Sequence, residues 1–267
     1  MKRSRRALIS GMIPIAERGR ERDEDHLVRK HQHGFWPILR RDDEKHCDLL
    51  IRLSDKCECS SRCIRTAWLL EELGLDYDVK FSDRVNGKAP EDFKLASGNP
   101  LGKFPTLQDG DLTVYESGAI TDYLCETYDK EGRILPHDPK GRIKIRQWTH
   151  AAEATFALHA LAILYARWHI PKDAPEGLLE STEKNMSANV QNDMSWLETE
   201  LSLSSGKFIC GDHVTAADTM MQFSAEFIVA RELGIKGKEY PNVNKWLDAC
   251  RETESYQRAL KKTGHKI

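Results

Sequence analysis

The 267 residues contain no uninterrupted run of about 18 apolar side chains, so no segment reads as a membrane-spanning helix. The stretch around Ala7 to Ala16 is too short and too interrupted to cross a bilayer. Net charge is also missing, since 40 Lys/Arg stand against 42 Asp/Glu, a formal charge of -2. That balance gives no overall electrostatic reason to expect a nucleic-acid or anionic-membrane partner, and any charged ligand must be met locally. Paired cysteine clusters are absent as well. Cys47, Cys57, Cys59, Cys63, Cys125, Cys210 and Cys250 make an odd number in a chain too large to need disulfide staples, which points to a reducing, cytoplasmic compartment. Four of them fall between Cys47 and Cys63, but no second group at two-residue spacing follows, so no metal is expected.

What is present is unevenly distributed. The first 45 residues hold twelve Lys/Arg and eight Asp/Glu, a local +4 that leaves -6 for the remainder. Their apolar residues keep neither a helical nor a strand period, so residues 1–46 are expected to be a mostly disordered extension. The acidic block Glu21 to Asp25 argues against a transit peptide.

From Asp48 the pattern sharpens. Leu49, Leu50, Ile51 and Leu53 predict a buried strand, followed by the small and polar stretch Ser54 to Ser61. Ala67, Leu69, Leu70 and Leu73 recur at helical intervals, with Ser61 as N-cap and Gly74 just past the end. Tyr77 to Phe81 alternates like a strand, and a short helical piece is expected near Glu91 to Ala96. Phe104 to Leu107 and Leu112 to Tyr115 read as a hairpin around Asp109-Gly110, and Ser117 opens a helix carrying Ile120, Tyr123, Leu124 and Tyr128 on one face. The order β-α-β-α-β-β-α over residues 47–132 predicts a thioredoxin-like α/β domain with one mixed sheet. Beyond the linker Leu135 to Pro139 the pattern is helical throughout: Arg142 to His169, Leu179 to Leu203, Ala216 to Leu233 and Pro241 to Cys250. Residues 139–267 therefore form an all-α helical bundle domain.

Three motifs carry a family resemblance over about residues 48 to 260. Ser61-Arg62-Cys63-Ile64-Arg65-Thr66-Ala67-Trp68-Leu69-Leu70-Glu71-Glu72-Leu73 resembles the first-helix motif of fungal and bacterial glutathione transferases of the serine type. Asn99-Pro100-Leu101-Gly102-Lys103-Phe104-Pro105 resembles the segment preceding the family's hairpin, and Glu116-Ser117-Gly118-Ala119-Ile120 the segment that follows it. In the helical half, Gly211 to Asp218 is similar to the family's folding motif, with Thr215 as N-cap and Asp218 as its capping-box partner. Thr219 stands where the family usually has an apolar residue.

Glutathione reacts as its thiolate, so its site needs a donor and positive potential at the sulfur. Ser61 fits, because its hydroxyl would sit at the amino end of a helix, where free N–H groups favour an anion; as a plain alternative it only caps that helix. Ser60 is one residue away, and Cys59 or Cys63 could form a mixed disulfide with glutathione, making the protein a thiol transferase that deglutathionylates other thiols. Those cysteines can equally be small apolar fillers. The resemblance implies a cis bond before Pro105, with the Phe104 backbone pairing to the cysteinyl unit, Lys103 near the glycine carboxylate, Glu116 on the γ-glutamyl ammonium and Ser117 on its carboxylate. Phe104 is larger than the usual residue there and would narrow the sulfur pocket. Arg146, Trp148, His150 and Glu153 fall on a helix that borders the cleft in such enzymes, and Phe156, Tyr165 and Trp168 would be either pocket or core.

The implied activity is conjugation of glutathione to a small hydrophobic electrophile, a detoxification reaction, with glutathione-dependent peroxidase activity open beside it. Glutathione serves as co-substrate, no dissociable cofactor is implied, and a C2 homodimer is expected. A non-catalytic regulatory or scaffold protein with the same fold stays open, because fold does not fix function.

Overall fold

The computed structural model describes residues 46–52, 61–82, 85 and 89–266, all within one compact unit spanning Asp43–Ile267. The expected disorder of residues 1–46 lies outside the described residues, except for His46, the first residue of a strand.

Strand β1, His46–Arg52, pairs in parallel with β2, Asp76–Ser82, and antiparallel with β3, Thr106–Asp109, which pairs with β4, Leu112–Tyr115. The spatial order β2-β1-β3-β4 is the mixed sheet that the alternation of patterns predicts. A helix must connect the parallel pair, and α1, Cys63–Glu72, does so. Its buried face includes Ile64, Ala67, Trp68, Leu69 and Leu70. At the far end Gly74 takes φ 63, and the N–H groups of Gly74 and Leu75 donate to the carbonyls of Glu71 (3.2 Å) and Leu70 (3.0 Å). This pairing closes the helix with a left-handed residue that glycine adopts without a Cβ penalty. Helix α2, Glu91–Ala96, lies where the sequence places it, and α3, Ser117–Tyr128, follows the hairpin.

The linker is held by one carboxylate. Buried Asp129 accepts from the N–H groups of Arg133, Ile134 and Leu135 at 3.0, 2.8 and 2.8 Å, which fixes the chain as it leaves the sheet. Helix α4, Pro139–Ala151, opens with Pro139 in its first turn and Asp138 accepting from Lys140 and Gly141. The sequence predicts one continuous helix from Arg142 to His169. Instead, a π-helical turn at Ala152–Ala157 separates α4 from α5, Leu158–His169. Helices α6, Leu178–Leu203, α7, Ala216–Ala230, and α8, Pro241–Arg251, agree with the sequence reading to within a few residues. A ninth helix, α9, Glu254–Thr263, is one the apolar pattern did not mark.

α7 is the axis of the helical half, buried along nearly its whole length. Its start is tied to α8 through Asp218, which is fully buried and accepts from the N–H groups of Ile209 (3.0 Å) and Thr215 (2.9 Å), the Thr215 hydroxyl (2.8 Å) and the Trp246 indole (3.0 Å). The capping box expected at Thr215 and Asp218 is therefore present, and Thr219 is itself buried. Phe156 and Trp148 are core, with Trp148 stacked on Trp196 at 4.1 Å between ring centroids. Tyr165 and Trp168 are neither core nor enclosed pocket, being 48% and 62% exposed and tilted against each other on the outer side of α5.

Four donors converge on Asp218, so its removal strands several of them at once. Asp218→Ala is expected to lower unfolding stability by about 3 kcal/mol or more, measured as a reduced urea midpoint and melting temperature.

Candidate active site

The register of the sheet brings the candidate residues to one edge. Leu50 of β1 stands opposite Thr106, and Thr106 stands opposite Tyr115, so the end of β1, the start of β3 and the end of β4 are neighbours. Ser61 follows β1, Lys103, Phe104 and Pro105 precede β3, and Glu116 and Ser117 follow β4. The three motifs, scattered over 57 positions from 61 to 117, therefore meet by topology.

Ser61 begins the first turn of α1. Its Oγ accepts the Cys63 N–H at 3.3 Å and its carbonyl accepts the Ile64 N–H at 3.3 Å; the N-cap itself is Arg62, so Ser61 stands one residue earlier than the sequence placed it yet still meets the first free N–H groups. Among the described residues none accepts the Ser61 hydroxyl proton, which is free to rotate toward a ligand. Cys63 is 1% exposed and sits within the hydrophobic core, which supports the filler reading over a reactive thiol. Ser60 and Cys59 lie outside the described residues.

The Phe104-Pro105 bond is cis, as the resemblance implies. Asn99 Nδ2 (2.8 Å) and Thr106 Oγ1 (3.0 Å) both donate to the Lys103 carbonyl, which holds this loop while the Lys103 side chain projects exposed. The half-buried Phe104 ring packs against Phe93 of α2 at 5.2 Å. Glu116 takes φ 71, a left-handed conformation that a non-glycine residue holds only when its surroundings impose it. The result is a sharp corner that leaves Glu116 exposed and turns Ser117 inward, where it is 5% exposed in the first turn of α3.

Sequence reasoning missed the residue that ties these parts together. Arg65 is buried, and its guanidinium donates to Ser117 Oγ (3.2 Å), to Ser224 Oγ of α7 (2.6 Å) and to Glu153 of the π-helical turn. It also lies over the Phe223 ring at 5.1 Å. Arg62 Nε reaches the same Glu153 oxygen at 2.8 Å. Arg65 thereby holds the Ser117 oxygen in place at the corner. The sequence signal for Arg65 was its position on the buried stripe with Trp68, Leu69 and Glu72, where an arginine needs partners. Of the α4 residues suggested to border the cleft, Arg146 instead pairs with Asp122 and Glu126 of α3, Trp148 is core and His150 is exposed.

The charges are unequal in their comfort. Burial lowers the Arg65 pKa, and the attraction of Glu153 offsets that only in part. For Glu153, burial works to raise the carboxyl pKa, but Arg65 and Arg62 together outweigh it and hold the group below the ordinary carboxylate range.

Residues 59–126 match the family model described as glutathione S-transferase, N-terminal domain, and residues 158–254 match the C-terminal domain of the same family. Glutathione S-transferase 3 of Schizosaccharomyces pombe is 30% identical over 199 residues, covering 70% of this chain and 78% of that protein. The chain belongs to the glutathione S-transferase family. Glutathione S-transferase 1 of Saccharomyces cerevisiae is 25% identical across 76% of this chain and 91% of its own length. A solved glutathione S-transferase from Actinobacillus pleuropneumoniae superposes with a TM-score of 0.67 at 30% identity, covering 82% of this chain and 94% of that one. A glutathione transferase homologue from Lodderomyces elongisporus, crystallised with two glutathione molecules per subunit, shares the fold with a TM-score of 0.66 at 23% identity, over 82% of this chain and 99% of that one. This glutathione S-transferase is thus an enzyme of that class in which a thioredoxin-like half adjoins an all-helical half. Among the described residues no helix is long and apolar enough to cross a membrane.

The Glu153 carboxyl is depressed in the folded state, so its contribution to stability is present above the ordinary glutamate value near ~4.3 and is lost as pH falls through the lower folded value. The melting temperature of the parent chain should therefore fall more steeply with acid below that point than that of Glu153→Gln. Parallel acid melting curves are the check.

Proposed function

We propose that this enzyme joins the glutathione sulfur to a small apolar electrophile. Ser61 donates its hydroxyl proton in a hydrogen bond to the sulfur, lowering the cost of the thiolate at the amino end of α1. The thiolate lone pair forms the new sulfur–carbon bond, and a leaving group departs with the electrons of the bond it gives up. Ser117 offers its hydroxyl and N–H to the γ-glutamyl carboxylate, and exposed Glu116 takes the adjoining ammonium. The Phe104 backbone pairs with the cysteinyl unit as an added strand, and Lys103 meets the glycine carboxylate. The helical half covers the second substrate, as a homodimer in a reducing, cytoplasmic setting. Exposed Leu112 and Tyr115 on the edge strand β4 offer apolar surface for such a pairing.

The single observation supporting this reading is the state of Ser61, whose oxygen accepts at the start of α1 while no described residue accepts its proton. The burial of Cys63 favours conjugation over a thiol-transferase reaction that would need its sulfur exposed. With a chlorodinitrobenzene-type electrophile and glutathione, Ser61→Ala should lose about a hundredfold in kcat, comparable to removal of one preorganised donor. Turnover that survives this substitution undiminished would remove Ser61 from the mechanism.

A further inference from the structure

Helix α9 packs along α1, its start beside the end of α1 and the residue past its end beside the start. Near the start of α9, Ser255 Oγ accepts from the buried Trp68 indole (3.0 Å) and donates to Glu72 Oε1 (2.5 Å). The Tyr256 ring meets Trp68 edge-on at 5.0 Å, and one turn later Arg258 and then Lys262 reach Glu71 at 2.7 and 3.4 Å. Ser61 to Glu72 and Ser255 to His265 are nearly equal lengths of chain, about 15 Å each at the helical rise. The end of α9 therefore reaches the site where α1 begins.

Its last turn is built to deliver one side chain there. Gly264 takes φ 63 and donates its N–H to the Leu260 carbonyl at 2.9 Å, closing the helix in a left-handed residue. The His265 N–H donates back to Thr263 Oγ1 at 3.3 Å, so the chain curls over its own end. His265 is consequently 8% exposed, with its ring 6.0 Å from that of Phe223, the same ring that lies beneath the Arg65 guanidinium. Its Nδ1 accepts the Ser61 N–H at 3.4 Å, across 204 positions of sequence.

We infer that His265 is a positioning residue for the glutathione thiolate, acting through Ser61. The imidazole fixes the direction of the Ser61 N–H, while the Cys63 and Ile64 N–H groups occupy its side-chain and carbonyl oxygens. The Ser61 N–H and its side-chain oxygen are thus both committed, which holds in place the residue that carries the hydroxyl. A donor already aimed contributes more to holding an anion than one that must be ordered when the anion arrives. The site for sulfur is in this way completed by a residue of the helical half, which no motif in the amino-terminal half includes.

This inference rests on the role proposed for Ser61, and the experiment separates the two. In the full chain, His265→Ala is expected to lower kcat with an aryl halide about tenfold, the scale of one hydrogen bond, while KM for glutathione moves less than about threefold. The thiolate absorbance of enzyme-bound glutathione at fixed pH should fall in parallel. His265→Asn, whose Oδ1 can accept the Ser61 N–H in place of Nδ1, should restore most of both signals, with the melting temperature of each variant close to that of the parent. Unchanged kcat and thiolate absorbance in His265→Ala, beside a disabled Ser61→Ala, would sink the role of His265 alone. A loss of activity that tracks a lower melting temperature, with the thiolate signal intact, would also overturn it by making the residue merely structural. Full activity in Ser61→Ala would overturn both.

Discussion

A guanidinium withdrawn from water must be met from several directions at once, and the site forms around that demand. Desolvation costs several kcal/mol per ion even after relaxation, and one carboxylate does not recover it for Arg65. The remainder is met by hydroxyls that come from different elements: Ser117 at the start of α3 and Ser224 within α7. Arg65 Nε has no hydrogen-bond partner among the described residues, so the burial is incompletely compensated. Such a group is weak evidence for stability and better evidence for geometric specification. α1, α3, the π-helical turn and α7 all meet at this guanidinium, which anchors the Ser117 oxygen.

The two halves of the chain are accordingly not a binding module with a lid. Each half supplies partners that the other needs: Trp68 and the Glu71-Glu72 pair of α1 are met by α9, and Arg65 is met by Glu153 and Ser224. The family resemblance places tripeptide recognition in the first half, yet the side chains proposed to meet it, Ser61 and Ser117, are contacted by residues of the second or by partners it holds.

Much of this was legible in the sequence, for reasons that can be named. The strand-helix alternation, the Asp109-Gly110 turn, Gly74 and the capping box at Thr215 and Asp218 are local signals, and each is where the residues place it. Helix α9 was not legible, because its buried face consists of Ser255, Tyr256, Ala259 and Thr263, of which Ser255 and Thr263 are small polar residues that carry no apolar signal. Tyr165 and Trp168 misled in the opposite sense, since aromatic spacing says that a face could be buried but not that a neighbour exists to bury it. Arg65 and His265 could not be assigned locally. Their roles depend on partners 52 to 204 positions away.

The π-helical turn between α4 and α5 has a consequence for how this protein can vary. A wide turn accommodates one residue beyond an α-helical path, and here that residue is absorbed where Ala152 accepts from Ser224 and Glu153 reaches α1. Deleting a single residue within Ala152–Ala157 would let the two helices fuse along one α-helical path with the faces of α5 unturned, whereas a deletion inside α4 would rotate everything beyond it by about 100° about the axis. Length changes in a surface loop are absorbed by slack; along α4 and α5 the wide turn is where a change of one residue can be taken up.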